Sequence, residues 1–281
     1  MDSQKKFTRT FSFEFFPPRN EEGQFKLRET VQQLAQLKPK FFSVTFGAGG
    51  STRAGTYETV KQIQQQGHQA APHISCIGTT RADVLALLVS YRQLGISHLV
   101  ALRGDLPKDA PKTGDFHFAN ELVGFIRAET GKEFTIEVAA YPEFHPESPT
   151  PQDDIRHFAD KVKAGANSAI TQYFFNVDAY WRFVEECEPL GIDVPIVPGI
   201  MPITNYKQLA KFSDACGAEI PRWIRRRLEG FGDDLDSIRA FGLDVTTELC
   251  DRLLAGGAPG LHFYTLNRAG PTCTIWERLG L

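Results

Sequence analysis

The sequence has no cysteine pair at CxxC spacing, no long apolar run, no strong excess of either charge and no low-complexity segment. Each absence removes a class of function. Its five cysteines, Cys76, Cys187, Cys216, Cys250 and Cys273, are far apart, which suggests neither a zinc ribbon nor a dense disulfide framework and reads as buried or incidental thiols. Met1 to Thr10 are polar and basic without the apolar core of a secretory signal, and no later stretch approaches the length that spans a bilayer. A soluble, cytoplasmic protein with no membrane partner is expected. A formal charge of −3 lacks the positive field that non-specific nucleic-acid or membrane-surface binding requires. The triplet Arg225-Arg226-Arg227 lies among Trp223, Ile224 and Leu228, and reads as an amphipathic helix with a solvated face rather than a nucleic-acid patch. A small molecule is the remaining partner. With no Gly/Ser or Pro run long enough for a linker, the 281 residues suit one domain over the whole chain.

What the chain does have is a rhythm. Short apolar strands run from Phe11 to Phe16, Phe41 to Phe46, Ala70 to Cys76, His98 to Arg103, Thr135 to Tyr141, Ser168 to Phe174, Val194 to Gly199 and Gly260 to Leu266, each followed by an amphipathic stretch long enough for a helix. This pattern predicts an α/β fold, a (β/α)8 TIM barrel with additional helices. Chemistry in such a barrel sits at the C-terminal ends of the strands, so Glu14, Thr45, His73, Asp105, Tyr141, Gln172, Gly199 and Arg268 at the tails of these segments are the first candidates.

Alternation in the first strand sets Phe11, Phe13 and Phe15 on one face and Ser12, Glu14 and Phe16 on the other. If the phenylalanines pack on helices, Glu14 enters the barrel near its top, just before Pro17 and Pro18, which cannot continue the ladder. Desolvation there would raise the carboxyl pKa and leave Glu14 protonated near neutral pH, able to donate to a leaving nitrogen or oxygen. Strand position alone allows a buried structural pair with an arginine equally well.

The motifs Phe13-Glu14-Phe15-Phe16-Pro17-Pro18-Arg19, Ser43-Val44-Thr45-Phe46-Gly47-Ala48, Ala71-Pro72-His73 and Ala101-Leu102-Arg103-Gly104-Asp105-Leu106-Pro107 occur in order. They are followed by Ala139-Ala140-Tyr141-Pro142-Glu143 with His145-Pro146-Glu147, Ala164-Gly165-Ala166-Asn167 with Ile170-Thr171-Gln172-Tyr173-Phe174, Pro198-Gly199-Ile200-Met201-Pro202, and His262-Phe263-Tyr264-Thr265-Leu266-Asn267-Arg268. Together they closely resemble the methylenetetrahydrofolate reductase family along nearly the whole chain. The resemblance implies an FAD-binding (β/α)8 barrel that reduces 5,10-methylenetetrahydrofolate to 5-methyltetrahydrofolate with NADH or NADPH. Both co-substrates would use one flavin in turn, with ping-pong kinetics. It further implies a bacterial-type enzyme without the C-terminal S-adenosylmethionine-binding regulatory domain of eukaryotic members. Relatives are often dimers or tetramers, so a homo-oligomer is within the family's range.

Residue roles follow from the same resemblance. Glu14 corresponds to the family's proton donor, which opens the folate five-membered ring to an iminium cation. Asp105 matches the carboxylate beside flavin and folate, a charge suited to stabilising that cation; without the resemblance it reads as a helix cap or turn residue. The FAD positions are Thr45, Phe46, Ala48, His73, Arg103, Gly104, Asp105, Ala119, Tyr141, His145, Asp154 and Lys161. Among them, backbone amides around Gly104 can approach the isoalloxazine and Lys161 can neutralise a diphosphate. Gln172 matches a residue that binds a pterin edge or a nicotinamide amide in turn, Phe212 an aromatic that stacks on either co-substrate, and Gln208 and Arg268 folate positions, the guanidinium suiting a dicarboxylate tail.

Two positions depart from the family's pattern: His157 stands where an asparagine is common, and Asp160 where a basic residue often meets the diphosphate. The loop Gly47-Ala48-Gly49-Gly50-Ser51 fits neither GxGxxG nor GxxxxGK[ST]. Neither His73 nor His145 has a third ligand partner at metal spacing, so hydrogen-bonding roles and no metal are expected. Within the same chemistry, physiological flux in the oxidative direction and a non-catalytic flavin- or folate-binding subunit are the alternatives. The joint presence of Glu14, Asp105 and Gln172 argues against the second.

Overall fold

In the computed structural model, which describes residues 2–47, 53–104 and 114–281, the alternation of the first strand is realised. Thr10–Phe15 (β1) turns Phe13 and Phe15 outward into the layer between sheet and helices, where both are essentially fully buried, and turns Ser12 and Glu14 into the barrel. Parallel strands Phe41–Val44 (β2), Ala70–Ser75 (β3), His98–Leu102 (β4), Thr135–Ala140 (β5) and Ser168–Thr171 (β6) follow on one side, and Gly260–Tyr264 (β9) pairs β1 on the other. Successive strands are joined through Glu21–Ala35 (α2), Arg53–Gln65 (α3), Arg81–Gln93 (α4), Ala119–Thr130 (α5), Pro151–Lys163 (α6) and Val177–Cys187 (α7). The return to β9 runs through Tyr206–Cys216 (α8), Arg222–Gly230 (α9) and Leu235–Gly256 (α10), and Gly270–Leu279 (α11) ends the chain. The fold is a (β/α)8 barrel with additional helices.

The expected seventh strand is two. Ile196–Val197 (β7) pairs β6, and Gly199–Ile200 (β8) pairs β9. Pro198 between them has no N–H for the ladder. Its carbonyl accepts from His262 N at 2.9 Å, and Gly199 N donates to Thr171 Oγ1 at 2.9 Å. The chain thereby bends from one neighbour to the other and closes the barrel. A Cβ on Gly199 would lie 2.1 Å from Thr171 O and 2.7 Å from the Tyr264 ring, so this closure requires glycine.

The sixth strand is also shorter than the expected Ser168 to Phe174. Past Thr171, the apolar run that resembles a strand serves packing: Tyr173 and Phe175 enter a second core with Ile203, Leu209, Ile224, Leu228 and Ile238, while Phe174 stacks on Tyr180 at 5.8 Å. This second core seats α8 and α9 on the barrel's top rim. On α9, Ile224 and Leu228 are buried as expected, but Trp223 is 59% exposed. At the opposite, N-terminal end, the short helix Asp2–Lys5 (α1) is tied to the seventh strand by Gln4, whose Oε1 accepts from Ile196 N at 2.8 Å. Inside that end a buried polar layer crosses three strands. Ser168 Oγ donates to Glu137, and Glu137 Oε1 lies 2.7 Å from His98 Nε2. Burial would raise the Glu137 carboxyl, but His98 and Ser168 outweigh it and hold it low. Among the described residues no helix is long and apolar enough to cross a membrane.

Candidate active site

Glu14 stands one residue before the end of β1, where its side chain keeps 17% exposure. Its Oε2 lies 3.3 Å from His73 Nε2 on β3 and 3.5 Å from His262 Nε2 on β9. Both ring nitrogens are close to the carboxylate without being aligned as hydrogen-bond donors to it. No arginine pairs with Glu14 among the described residues. The expectation of a desolvated, protonated acid is corrected: burial does push the carboxyl up, but contact with His262 and His73 outweighs it and pulls Glu14 down to about 2. The histidine pair was not legible in spacing, because β3 and β9 meet at Glu14 only when the barrel closes. Among the described residues no group is arranged to hold a metal ion.

Above this cluster lies a cavity of about 830 Å³, open at the C-terminal ends of β3 to β6. Ser75, two residues beyond His73 on the same strand face, is part of its wall. The cavity brings together Phe46, Arg103, Gly104, Ala119, Tyr141, His145, Asp154, Lys161 and Gln172, together with the departing positions His157 and Asp160. Gly104 has φ +83° and a Cβ there would meet Ser75 Cβ at 2.8 Å; only glycine lets the β4 end lie against β3.

Two cations face this space. Arg103 Nη2 is 2.7 Å from Glu147 Oε2, yet is buried without an aligned hydrogen bond. Lys161 comes from α6, whose start is fixed by Thr150 as N-cap and Pro151 in the first turn. Its ammonium donates to Ala139 O at 2.5 Å, and burial, reinforced by Arg103 and opposed by Asp154, pushes it down to about 8. Asp154 is committed to the wall itself: its carboxylate accepts from His145 N at 3.2 Å and Ser148 Oγ at 3.1 Å. His145 Nδ1 in turn accepts from Glu147 N at 3.0 Å, and burial followed by Arg103 lowers the ring's pKa. Gln172 continues β6 by donating its backbone N–H to Ala140 O, and its side-chain oxygen accepts from Tyr173 N at 3.0 Å.

Other expected residues lie outside the cavity wall. Thr45 accepts from Thr56 Oγ1 through its carbonyl at 2.8 Å, and His73 faces Glu14. Gln208 is exposed in the first turn of α8, Phe212 is half-buried one turn further on, and Arg268 is exposed beyond β9. Ala48 and Asp105 lie outside the described residues.

Glu143 has a place in the fold that its sequence position does not signal. It accepts from Glu219 N at 2.8 Å, joining the loop after β5 to the segment after α8. Burial pushes its carboxyl from 4.5 up to about 7; the Glu219 charge adds to this, while the Glu219 N–H and Arg182 oppose it. The folded chain therefore holds a proton there that the unfolded chain has released, and stability from this group falls as pH rises from 4.5 to 7. Relative to the native chain, Glu143→Gln should gain about 1 kcal/mol between these limits, the figure being discounted for partial exposure. Urea unfolding at both ends of the window checks this; a constant difference would show that the group is not titrating.

The fold and site define a (β/α)8-barrel enzyme with a large, partly cationic cavity at the catalytic end of its strands. The family profile described as methylenetetrahydrofolate reductase matches residues 1–280. The chain is 43% identical over 271 residues to the 5,10-methylenetetrahydrofolate reductase of Salmonella typhimurium, covering 96% of this chain and 90% of that one. Against the Escherichia coli enzyme of the same name the identity is 42% with the same coverage. A solved structure, an uncharacterized protein from Clostridium thermocellum that binds two copies of 5-methyl-5,6,7,8-tetrahydrofolic acid, shares the fold at TM-score 0.66 and 16% identity, over 98% of this chain and 95% of that one. The chain belongs to the methylenetetrahydrofolate reductase family and is an oxidoreductase of folate one-carbon metabolism.

Proposed function

We propose that the chain binds FAD non-covalently in the cavity and reduces 5,10-methylenetetrahydrofolate to 5-methyltetrahydrofolate, with NADH or NADPH as the electron source. The observation that carries this reading is the seat formed by Arg103 and Lys161. Arg103 has a buried nitrogen whose close partner is the exposed Glu147 carboxylate, and Lys161 is a half-buried ammonium that desolvation pushes down to about 8. A diphosphate beside them would add charge-assisted contacts to the guanidinium and offset the desolvation of the ammonium. The cavity's roughly 830 Å³ lies within the range of about 300–1,000 Å³ usual for cofactor sites. When bound, FAD supplies a hydride relay that lets the nicotinamide and the folate react in turn.

The chain's own residues do the rest. Tyr141, His145 and Ala119 shape the wall; Gln172, also in that wall, offers an amide to a pterin or nicotinamide edge. Phe212, Gln208 and Arg268, half-buried or exposed, are assigned to the aromatic part and the carboxylates of the folate on the family resemblance. Glu14 delivers a proton to the nitrogen released when the folate ring opens, and Asp105 supplies countercharge to the cationic carbon, a role carried by the family motif. The folate bound by the Clostridium thermocellum protein supports the substrate assignment.

The purified chain is expected to show a flavin absorbance spectrum, to bleach on anaerobic addition of NADH, and to regain colour with methylenetetrahydrofolate. Arg103→Ala should weaken FAD binding about tenfold or more by loss of a charged contact, read as quenching of flavin fluorescence on titration. A colourless chain that gains no flavin spectrum when FAD is supplied overturns the reading.

A further inference from the structure

The end of β1 is held by side chains where the sheet no longer holds it. Backbone pairing between β1 and β9 reaches its last pair at Glu14 and Tyr264, and Pro17 and Pro18 beyond have no N–H to prolong it. Thr265 and Asn267 take over. Thr265 Oγ1 donates to Glu14 O at 2.6 Å and accepts from Asn267 N at 3.2 Å. The Asn267 amide occupies both polar groups of the Phe16 backbone, Oδ1 accepting from Phe16 N at 3.0 Å and Nδ2 donating to Phe16 O at 2.9 Å. This side chain does for Phe16 what a neighbouring strand would do. Its own backbone is unusual as well. Leu266 and Asn267 have φ of +50° and +56° in succession, a left-handed conformation that a non-glycine residue keeps only where its surroundings impose it. The turn so made delivers Arg268, the next residue, whose N–H donates to Thr265 O at 3.0 Å.

We propose that Asn267 is a positioning residue for folate reduction. Through Phe16 it ties the turn that carries Arg268 to the strand end that carries Glu14, so that the group meeting the folate carboxylates and the group meeting its leaving nitrogen are set against one another. The assignment rests on the roles given above to Glu14 and Arg268. Fixing the Glu14 carbonyl and both polar groups of Phe16 leaves the chain between them little freedom, and the Cα–Cβ bond of Glu14 then points the same way in every turnover. Two groups that grip one substrate must be matched in distance, and a reacting group displaced by about 1 Å can lose about a hundredfold in rate. The sheet does not supply this match, because the ladder between β1 and β9 stops at Glu14 and Tyr264 and Arg268 lies beyond it. Asparagine suits the position on two counts: its amide both donates and accepts, and its short polar side chain tolerates the left-handed backbone. Aspartate shares the second property but would set a carboxylate oxygen against Phe16 O.

The test uses the flavin-loaded chain with Asn267→Gly, which keeps the left-handed backbone without strain and removes the amide. Beside it stand Thr265→Val and Thr265→Ser, of which the second keeps the hydroxyl. Flavin reduction by NADH and folate reduction are measured separately, with KM for methylenetetrahydrofolate and the maximal rate resolved. Asn267→Gly is expected to raise that KM about three- to tenfold and to slow the folate step about tenfold, while flavin reduction stays at the native rate. Adding Arg268→Ala should raise KM no further than Arg268→Ala does alone, within about twofold, because the amide acts on KM through that guanidinium. Thr265→Val should show the slower folate step, and Thr265→Ser should restore it. A residue that only stabilises the barrel would lower the urea midpoint and slow both half-reactions alike. That result, or KM effects of Asn267→Gly and Arg268→Ala that multiply, overturns the assignment. Native folate kinetics in Asn267→Gly, with Arg268→Ala and Glu14→Gln impaired, overturns the positioning role alone. Native kinetics in those two variants overturns the roles of Arg268 and Glu14, and that of Asn267 with them.

Discussion

Glutamine at position 14 is expected to slow folate reduction by about 10²- to 10⁴-fold, the usual contribution of a positioned proton donor, while reduction of the flavin by NADH proceeds nearly unchanged. The amide preserves the side chain's size and can still contact His73 and His262, which now lie 3.3 and 3.5 Å away. It cannot deliver a proton. The folate half needs that proton because a nitrogen leaves; the nicotinamide half moves a hydride and needs none from Glu14. Stopped-flow traces of each half-reaction decide the matter. Equal slowing would make Glu14 a packing residue, and a methylenetetrahydrofolate step as fast as the native one would remove it from the chemistry. Stability is a further readout. The variant loses a carboxylate that the histidines hold at about 2, so it should forgo stability that the native chain has above the ordinary carboxyl pKa and loses as pH falls toward 2.

The period-two pattern of β1 was legible because each phenylalanine on the outward face has a buried partner to meet: Phe13 packs on Phe42 and Phe263, both at 5.9 Å. That pattern placed Glu14 inside the barrel from sequence alone. Its protonation was not legible, because the groups that decide it come from β3 and β9, remote in sequence. Apolar runs were a poorer guide at strand ends. Tyr173 and Phe175 extend β6 on paper but pack under α8 and α9, and burial looks alike in a strand and in a loop folded onto a second core. Trp223 failed for a related reason. Its helix buries only the stripe through Ile224 and Leu228, and a neighbouring position falls about 100° away on such a helix. Resemblance supplied Arg103, Tyr141, His145 and Lys161, and the fold gathers them around one cavity. Glu143 stands in a quoted motif without a role attached to it, and its raised pKa depends on the fold, which brings the remote Glu219 N–H to its carboxylate.

Alanine at position 199 is expected to cost at least about 3 kcal/mol, at the upper end of what overpacking does, since the clash falls on backbone and cannot be relieved by a side-chain rotamer. The added Cβ would sit 2.1 Å from Thr171 O and 2.7 Å from Tyr264 Cε2. Both neighbours are fixed: Thr171 Oγ1 accepts from Gly199 N, and Thr171 O accepts from the Tyr264 hydroxyl at 2.7 Å. Relief therefore requires β6 and β8 to part at the seam where Pro198 turns the chain between its two neighbours. That seam carries Gln172 on one side and the strand of His262 on the other, so a chain that survives the substitution should also lose folate reduction. Gly124 gives the internal control. It lies within α5, where an added Cβ would have no neighbouring atom within 4 Å beyond its own helix, and alanine there should be neutral or gain up to about 1 kcal/mol through helix propensity. Urea midpoints of the two variants against the native chain measure the contrast. A Gly199→Ala chain as stable as Gly124→Ala would mean that the barrel closes without this contact, and that the short β7 and β8 are held by the rest of the sheet.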